Sequence, residues 1–486
     1  MLRRLPSGKT DSGSRERIMS TETQADDVFE RAVRLPASAV AAFAWHEAPG
    51  ALERLAPPWE KVTVVARAGT GLQAGARVTL ENRLGPFRLR WEAEHRDYVP
   101  GRLFRDVALR GPFARWDHRH EFTDCADGGC ELRDRIAYAL PGGAVGRLLG
   151  GAWVREKLRA LFAYRQAVTR DDLRFAQDHP GAPALRVLVS GASGLVGRAL
   201  VPFLQTQGHT VLRLVRHAPR GPDEVFWNPE AGAAGLELEA AGELDAVVHL
   251  AGAGIADARW TPERKRLIRE SRVAGTRLLA EALAARARPP RVVVGGSAIG
   301  YYGEGGEAWL DEQSPAGAGF LAEVTRAWEQ AWAPLDAAGT RRVYLRTGVV
   351  LSPAGGALAK MLTPFRLGLG GPVGAGDQWW SWISIDDLVG VIGHALSTPE
   401  VHGPLNAVAP VPVTSRDFAH GLGKVLGRPA ILPLPASVLR LALGELADEA
   451  LLASQRVRPG VLRESGYRFR HENLADALHH LLGRVA

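Results

Sequence analysis

Three glycines at intervals of three residues constrain this chain more than any other feature of its sequence. Gly191, Gly194 and Gly197 lie in the stretch LRVLVSGASGLVGRALVPFLQTQGHTVLRLVR, between an apolar strand and a helix, and a second strand begins at Thr210. Glycine at these positions allows a tight turn, close approach of the backbone to a pyrophosphate, and close packing of the helix on the strand. The N–H groups that open the helix present partial positive charge to phosphates. Together these elements predict a dinucleotide-binding site.

The stretches that follow extend this site. LDAVVHLAGAG ends in small residues against which a cofactor can lie, and RRVYLRTGVVLS carries an arginine near its end. Such strands alternate with helices, which predicts an α/β fold with a doubly wound parallel sheet, the Rossmann arrangement. We expect the cofactor to contact Gly191, Ser193, Gly194, Leu195, Val196, Gly197, Leu250, Ala251, Gly252 and Arg346.

The end of the second strand favours NADP(H) over NAD(H). An NAD site usually has Asp or Glu there, because a carboxylate accepts a hydrogen bond from the ribose 2′-OH. This chain has Arg216 at that position and no acid before Asp223. A guanidinium suits a 2′-phosphate, so we predict NADP(H), the alternative being that Arg216 is only a surface arginine.

Residues 28–180 show a different pattern. Segments such as RVTLENRL and ARWDHRHEFTD alternate apolar with polar residues and predict an antiparallel sheet, after which the period becomes helical. The apolar stripe of that helix consists of Leu148, Trp153, Leu158, Leu161 and Phe162. With the stretches GALERLAPPWEKV, GPFARWDHRHEF and FAYRQAVTRDDL, this region resembles the SRPBCC, or START-like, superfamily. The resemblance implies an α+β helix-grip domain with a cavity for a hydrophobic ligand.

We expect no metal site in this region. Cys125 and Cys130, in DCADGGC, are the only cysteines, so they cannot complete a tetrahedral thiolate set. His118 and His120 share one face of a strand and could form a metal pair. With His95, they are more simply explained by cross-strand hydrogen bonds, the commoner use of histidine.

The second part of the chain has several distinctive stretches. They are HLAGAGIADARWTPERKRLIRESRVAGTRLL, GYYGEGGEAWLDEQSP, LRTGVVLSPAGGALAKM and GDQWWSWISIDDL. They resemble the extended short-chain dehydrogenase/reductase superfamily and, within it, a bacterial group of epimerase-family proteins. The resemblance implies a nucleotide-binding domain over residues 185–430 and, over residues 431–486, the small C-terminal domain of unknown function found in that group. Fusion to a START-like module also occurs there.

The usual acid–base pair of that superfamily is missing. Its Tyr-x-x-x-Lys motif lies on a helix that corresponds to FLAEVTRAWEQAW in this chain. Phe320 or Leu321 takes the place of the tyrosine, and Val324 or Thr325 takes the place of the lysine. Chemistry at this site therefore requires other groups.

Ser297, Tyr301 and Tyr302, in GGSAIGYYG, are the remaining candidates for catalysis. A serine can hydrogen-bond a substrate carbonyl or hydroxyl, and a neighbouring tyrosine can donate a proton. Arg272 or Lys265 could supply the missing cation if their helix faces the cofactor. The alternative is structural: the tyrosines pack the strand end and the serine satisfies backbone groups.

A Gly-rich stretch, RLGLGGPVGAGDQWWSW, predicts a mobile lid on the substrate side. Gln378, Trp379 and Trp380 lie at its end, where indoles offer flat apolar contact to a ring or an acyl chain. The alternative is that one or two of these tryptophans pack a domain junction.

The bulk composition sets the remaining expectations. The chain has 486 residues, 46% hydrophobic and 23% charged, which indicates a soluble protein of two or three domains. Its net charge of +7 is spread among acids, so we expect no nucleic-acid partner. No apolar run is long enough for a membrane span, and a cytoplasmic location fits the two cysteines. Residues 1–27 are expected to form a disordered tail, within which Met19 is an alternative start.

Two classes of function fit these features. The favoured one is an NADP(H)-dependent oxidoreductase or epimerase that transfers hydride to or from a carbonyl or alcohol carbon of a small or hydrophobic substrate. The alternative is a non-catalytic NADP(H)-binding sensor or ligand carrier, because the Tyr-x-x-x-Lys pair is absent. A third possibility is delivery of a ligand from the first module to the second, which requires a mobile linker.

Replacing Arg216 by aspartate tests the predicted cofactor preference. A charge-assisted hydrogen bond contributes about 1.5–3 kcal/mol, so Arg216→Asp should lower the NADPH-to-NADH affinity ratio by roughly tenfold or more. Fluorescence titration with each nucleotide measures that ratio, and Arg266→Asp controls for the change in net charge. An unchanged ratio would remove the basis for choosing NADP(H).

Overall fold

The computed structural model describes residues 27–84 and 87–484. The predicted N-terminal tail therefore lies outside the described residues, except for Asp27. The first part of the chain forms one antiparallel sheet with three helices. Its strands are β1 (Asp27–Leu35), β2 (Val62–Ala68), β3 (Arg77–Leu84), β4 (Phe87–Val99), β5 (Leu103–Arg110), β6 (Arg115–Asp124) and β7 (Cys130–Ala139), and its helices are α1 (Ala39–Glu47), α2 (Ala51–Arg54) and α3 (Gly143–Asp178).

The seven strands pair in the order β1-β7-β6-β5-β4-β3-β2. The first and last strands of this part of the chain, β1 and β7, are therefore neighbours in the sheet. Alternate residues of β6 and β7 are buried, as the period of two in the sequence predicts. The long helix α3 covers this buried face with Leu158 and Phe162.

The predicted stripe on α3 is wrong in its first half. Leu148 is 85% exposed and Trp153 is 59% exposed, whereas Leu158 and Phe162 are buried. Burial on this helix begins only at Gly151, because the first two turns have no neighbouring element over them. Helical periodicity thus identified the helix but not the length over which the sheet covers it.

The second part of the chain contains the remaining elements. The strands are β8 (Arg186–Ser190), β9 (Thr210–Val215), β10 (Glu224–Phe226), β11 (Ala246–His249), β12 (Val292–Ala298), β13 (Trp309–Leu310), β14 (Arg341–Thr347), β15 (Val349–Leu351), β16 (Trp379–Trp380), β17 (Trp382–Ser384), β18 (Gly403–Ala407), β19 (Val413–Thr414) and β20 (Arg456–Val457). The helices are α4 (Leu195–Thr206), α5 (Pro262–Ala284), α6 (Phe320–Gln330), α7 (Gly356–Arg366), α8 (Ile385–Ser397), α9 (Ser415–Leu426), α10 (Ala436–Leu443), α11 (Gly460–Glu464) and α12 (Leu474–Leu481).

Seven of these strands form a parallel sheet in the order β10-β9-β8-β11-β12-β14-β18. Strands β8 and β11 at its centre are almost wholly buried, as expected for strands covered by helices on both faces. Numbered within the domain, the order begins 3-2-1-4-5-6, that of the doubly wound dinucleotide-binding fold. The predicted Rossmann fold is confirmed. Its crevice opens between β8 and β11, where the direction of winding reverses.

The antiparallel sheet and the parallel sheet meet through a buried cluster of charges. Arg54 of α2 donates to Asp172 of α3 with Nε 2.9 Å from Oδ2, and to Asp386 of α8 with Nη1 2.5 Å from Oδ1. Arg470 lies 2.8 Å from Asp172, although its guanidinium is not aligned for a hydrogen bond. Burial alone would raise the pKa of Asp386, but Arg54 holds that pKa well below its usual range. Two cations and two anions thus balance one another across the interface.

Further sequence expectations concern the cysteines, membrane spans, cellular location and partners. Cys125 and Cys130 are both free thiols. Among the described residues, no helix has the length and apolar character needed to cross a bilayer. The cytoplasmic location and the absence of a nucleic-acid partner stay predictions.

Replacing Asp172 by asparagine tests the importance of the charge cluster. The substitution preserves shape but leaves two buried arginines with one carboxylate, and breaking a buried ion pair costs about 3–5 kcal/mol. We therefore expect a large fall in the chemical-denaturation midpoint. Glu281→Gln, which removes half of an exposed helical ion pair with Arg277, should cost about 0.3–0.5 kcal/mol. Equal midpoints for the two variants would contradict the role given to the cluster.

Candidate cofactor and active site

The glycine loop between β8 and α4 has the geometry that its sequence predicts. Gly191 has a φ of +69°, and a Cβ there would lie 2.9 Å from the carbonyl carbon of Leu250. A Cβ on Gly197 would collide with the backbone of Gly191 and Ala192, so only glycine lets α4 approach the turn. Gly194 precedes the first residue of α4 in an extended conformation. The start of α4 therefore opens directly onto the crevice.

A buried serine and histidine support the floor of this crevice. Ser190 and His249 are paired neighbours on β8 and β11, with Oγ 2.6 Å from Nδ1. Ser190 Oγ also accepts hydrogen bonds from the backbone N–H groups of Leu250 (3.1 Å) and Ala251 (3.3 Å). Burial lowers the pKa of His249 to about 3, so the imidazole is neutral. These contacts hold Leu250 and Ala251, two predicted cofactor residues, across from Gly191.

Arg216 directly follows β9 and is exposed to solvent. The acids nearest to it in sequence are engaged elsewhere, since Arg213 lies 2.6 Å from Asp223 and 3.2 Å from Glu224. The end of β9 therefore presents a guanidinium and no unpaired carboxylate to the region where the adenosine ribose binds in this fold.

Three polar residues form a row across the carboxyl ends of adjacent strands. Ser297 of β12 pairs in register with Arg346 of β14, which pairs with Asn406 of β18. Ser297 is 6% exposed and donates to Glu329 Oε1 at 2.7 Å. Glu329, on α6, accepts two bonds from Arg346, each 2.9 Å long. Arg346, which is 2% exposed, thus forms a bidentate ion pair with Glu329. Its contact with a cofactor stays a prediction.

The two tyrosines beyond Ser297 lie in different environments. Tyr302 is buried, donates to Asn406 Oδ1 at 2.7 Å and accepts from Arg346 Nη1 at 3.1 Å. Burial raises the pKa of Tyr302 to about 12, against the lowering effect of Arg346. Tyr301 is half-buried, and the guanidinium carbon of Arg346 lies 3.5 Å from the centre of its ring. Within the described residues, the Tyr301 hydroxyl has no hydrogen-bond partner.

A buried glutamate links this row to the C-terminal region. Glu312 accepts hydrogen bonds from the backbone N–H groups of Asn406 (3.1 Å), Gly460 (3.2 Å) and Val461 (3.3 Å). Burial raises the pKa of the Glu312 carboxyl. The strand end that carries Asn406 and the start of α11 are therefore held by one side chain.

The positions of the missing Tyr-x-x-x-Lys pair fall at the start of α6. Val324 and Thr325 are buried, and Thr325 donates its hydroxyl to the carbonyl of Leu321 at 2.7 Å. The N–H groups of Phe320 and Leu321 donate to the Glu449 carboxylate at 2.8 and 2.7 Å. None of these side chains can replace the lysine.

The two candidate cations, Lys265 and Arg272, have different neighbours. Lys265 lies 2.8 Å from Glu445 and over the ring of Phe320. Arg272 lies beside Gly252, where an added Cβ would meet its side chain at 3.4 Å, and it donates to the carbonyl of Ala253 at 2.9 Å. Burial lowers the pKa of Arg272 to about 10, so it remains charged at neutral pH. Arg272 therefore places positive charge next to the cofactor-facing segment, and Lys265 does not.

The three residues predicted on the substrate side are partly buried in a junction. The side-chain amide of Gln378 donates to the carbonyls of Val373 and Leu451, and the Trp380 indole also donates to Leu451. Trp379 is half-buried, and Arg456 stacks 4.1 Å from its ring centre. Of the three, only Trp379 presents a ring with partial exposure, and substrate contact stays a prediction for all of them.

Two clefts lie outside the glycine loop. One of about 360 Å³ lies between Gly300, Gly303, Leu321 and the C-terminal residues Arg440 and Leu452. A larger one of about 810 Å³ lies between the end of α3 and Arg468, and it contains none of the predicted site residues. The smaller cleft adjoins the Tyr301–Tyr302 segment through Gly300 and Gly303, and it too contains none of the predicted site residues.

Glu329, Glu312 and His249 are functional-site residues that the sequence interpretation missed. Glu329 had a detectable signal, because it lies four residues after Thr325 and eight after Leu321, on the inner face of α6. An acid on the buried stripe of an amphipathic helix needs a partner, and Arg346 supplies one. No comparable pattern marks Glu312, whose partners are backbone groups from distant segments.

The comparisons with known proteins agree with this geometry. Residues 187–407 match the NAD dependent epimerase/dehydratase family, and residues 434–481 match a domain of unknown function, DUF1731. An epimerase family protein of Mycobacterium bovis is 42% identical over 292 residues, which cover 60% of this chain and 96% of that protein. Human epimerase family protein SDR39U1 is 41% identical over 297 residues, 60% of this chain and 98% of that protein.

Two solved structures are also similar. A nucleoside-diphosphate sugar epimerase from Corynebacterium glutamicum has a TM-score of 0.76 and 35% identity, with 94% of this chain and 90% of that chain covered. Human SDR39U1 (isoform 2), solved with NADPH, has a TM-score of 0.58 and 38% identity, with 62% of this chain and all of that chain covered. The class that fold and site define is thus a Rossmann-type protein of the epimerase/dehydratase kind. Within it, this chain belongs to the epimerase family that includes SDR39U1.

Replacing Glu329 by glutamine tests how much the Glu329–Arg346 ion pair contributes to stability. The variant leaves Arg346 buried without its counter-ion, so the free energy of unfolding should fall by about 3–5 kcal/mol. Glu323 lies on the exposed face of the same helix, so Glu323→Gln should cost at most about 1 kcal/mol. Denaturation midpoints compare the two variants. A Glu329→Gln protein as stable as Glu323→Gln would show that the ion pair contributes nothing to this site.

Proposed function

We propose that this protein binds NADP(H) in the crevice at β8 and β11 and transfers hydride to or from a carbonyl or alcohol carbon of a small or hydrophobic substrate. The observation that carries the proposal is the position of Tyr301, whose ring lies on the Arg346 guanidinium and whose hydroxyl has no partner within the described residues. Ser297, the neighbouring polar group, ends the strand that precedes it.

The residues present fit a dinucleotide. Gly191 and Gly197 let the turn and α4 pack tightly against neighbouring backbone, where a Cβ would collide, and the N-terminal end of α4 directly follows this turn, as in dinucleotide-binding loops. A bound nicotinamide would supply or accept the hydride. Arg216 and the NADPH in the human SDR39U1 structure support the phosphorylated nucleotide over NAD(H).

Each side chain near the nicotinamide end has a distinct proposed task. Tyr301 donates a proton to the substrate oxygen during carbonyl reduction and recovers it from solvent. Tyr302 is unsuited to this task because its hydroxyl already donates to Asn406 and its pKa is raised to about 12. Ser297, whose O–H donates to Glu329, can still accept a hydrogen bond from a substrate hydroxyl, and Glu329 with Arg346 holds Ser297 and Tyr301 in place. A phenolate forming on Tyr301 lies against a guanidinium, which stabilises developing negative charge.

A sensor or carrier remains the second candidate function. The observation that favours it is the apolar lining at the usual catalytic helix, where Phe320, Leu321 and Val324 replace the pair that normally moves the proton. In this version the nucleotide is bound but not turned over.

The N-terminal domain is proposed to be a START-like module that takes a hydrophobic ligand. Its order of sheet and long closing helix supports this assignment. The similarity to the Corynebacterium glutamicum protein extends over 94% of this chain, which supports a shared two-part arrangement.

NADPH fluorescence on the purified full-length protein tests the proposed reaction. The nucleotide should bind, and one member of a panel of carbonyl substrates should oxidise it. Tyr301→Phe should keep the NADPH affinity within about twofold and lower kcat by roughly 10²–10⁴-fold, the usual contribution of a general acid. Gly194→Asp, which places bulk and negative charge at the pyrophosphate, should abolish binding.

The outcomes separate the two candidate functions. Binding without oxidation of any substrate would favour the sensor. Turnover that survives Tyr301→Phe would remove Tyr301 as the proton donor. Absence of binding by the unaltered protein would overturn both functions.

A further inference from the structure

Two histidines and two aspartates meet in the interior of the N-terminal domain, away from the proposed nucleotide site. Asp106 of β5 pairs in register with His118 of β6, and His120 of β6 pairs with Asp134 of β7. Paired residues on adjacent strands point to the same face of a sheet. His118, His120 and Asp134 are buried, and Asp106 retains slight exposure. Four chemically active side chains therefore share one small volume beneath α3.

The two aspartates lie on opposite sides of the imidazoles. Asp106 Oδ1 is 3.3 Å from His118 Nδ1 and 3.6 Å from His120 Nε2. Asp134 Oδ1 is 3.3 Å from His118 Nε2 and 2.8 Å from His120 Nδ1. The last contact is not aligned as a hydrogen bond, so His120, 8% exposed, has a buried nitrogen without a well-directed partner. Each ring thus has one nitrogen toward Asp106 and the other toward Asp134.

The distances on the Asp106 side fit the spacing of ligands around one ion. A charge-assisted N–H···O bond is about 2.7–2.9 Å long, shorter than either contact with Asp106. In a tetrahedral zinc site the metal–ligand bonds of about 2.0–2.2 Å place neighbouring ligand atoms roughly 3.3–3.6 Å apart. An octahedral ion with bonds of about 2.1 Å would need roughly 3.0 Å between adjacent ligands. The observed 3.3 and 3.6 Å favour the tetrahedral arrangement.

Asp134 has the position of an outer carboxylate. Metal-bound histidines commonly direct their other ring nitrogen to a carboxylate, which fixes the tautomer and orients the ring. Asp134 is itself held by Gln166, whose amide donates to Oδ2 at 3.0 Å, and Gln166 accepts from Arg31 at 2.8 Å.

We propose that the N-terminal domain binds one divalent first-row transition-metal ion, with zinc as the best fit, through His118 Nδ1, His120 Nε2 and the Asp106 carboxylate. Two imidazoles disfavour magnesium and calcium, which prefer oxygen ligands. Three protein ligands leave a fourth position for water or a ligand of the domain. His95 pairs in register with Asp106 and so lies beside that position. The expected cross-strand hydrogen bond is also present for His118, whose Nε2 lies 3.3 Å from Asp134 Oδ1 on the neighbouring strand.

Metal titration of the chelator-treated full-length protein tests the site. Equilibration with zinc followed by desalting should leave about one zinc per chain by elemental analysis. Cobalt(II), used as the optical probe, should give the intense visible bands of a tetrahedral ion. His118→Gln and Asp106→Asn should lose the bound metal, and Asp134→Asn should weaken binding by about 10–100-fold.

His217→Gln provides the matched control, because His217 is an exposed histidine of the other domain and should leave the metal content unchanged. Circular dichroism checks that each variant is folded. Failure of the unaltered protein to retain zinc or to give the cobalt bands would overturn the proposal even if every variant misfolded. Retention of the metal by a folded His118→Gln/His120→Gln double variant would overturn it as well.

Discussion

The buried charges of Arg54, Asp172, Asp386 and Arg470 are the interaction on which the arrangement of the whole chain depends. They come from α2, α3, α8 and the segment before α12, so each separate part of the molecule contributes. Burying one such charge alone is very unfavourable, and its oppositely charged neighbours offset the cost, with His480 a further partner of Asp386 at 3.1 Å. The cluster therefore links docking of the domains to the pairing of these charges, and it holds the end of α3 against the parallel sheet. Ring contact between Phe175 of α3 and Phe203 of α4, 5.2 Å apart, extends the same interface.

The parallel sheet and its glycine loop could be predicted because their signals are local. Gly191 and Gly197 satisfy steric conditions set by residues close in sequence or on the next strand, and such conditions leave a fixed spacing. The exposed first turns of α3 could not be predicted from periodicity, since Leu148 and Trp153 continue the apolar stripe beyond the sheet that covers it. Coverage depends on tertiary neighbours, which a helical period does not encode.

The candidate site shows the same division between local and distant information. Ser297 lies near the end of β12, Tyr301 and Tyr302 follow that strand, and all three are recognisable from sequence position alone. What each can do depends on Arg346 and Asn406, which lie beside Ser297 only because β14 and β18 follow β12 in the sheet. The sequence treats the two tyrosines alike, but the hydrogen bonds to Tyr302 restrain one hydroxyl and leave the other without a described partner.

The C-terminal region completes this site, although it carries none of the predicted catalytic groups. Glu312 binds the N–H groups of Gly460 and Val461 together with that of Asn406, so the start of α11 is attached to the strand end that restrains Tyr302. Glu449 binds the N–H groups that open α6, the helix that carries Glu329. Movement of the C-terminal region would therefore disturb the contacts of Glu312 and Glu449, which hold the strand end at Asn406 and the start of α6.

The interface also bears on whether the N-terminal domain could deliver a ligand by swinging on its linker. Such movement would separate Arg54 from Asp386 and return both charges to water, where hydration largely offsets the attraction that is lost. It would also separate Tyr164 from His480, whose rings are 4.8 Å apart. The cost of domain movement therefore lies mainly in exposing the aromatic and apolar side chains of the interface, such as Phe175 and Phe203. The metal site proposed in the N-terminal domain requires no such movement, because Asp106, His118 and His120 all come from the neighbouring strands β5 and β6.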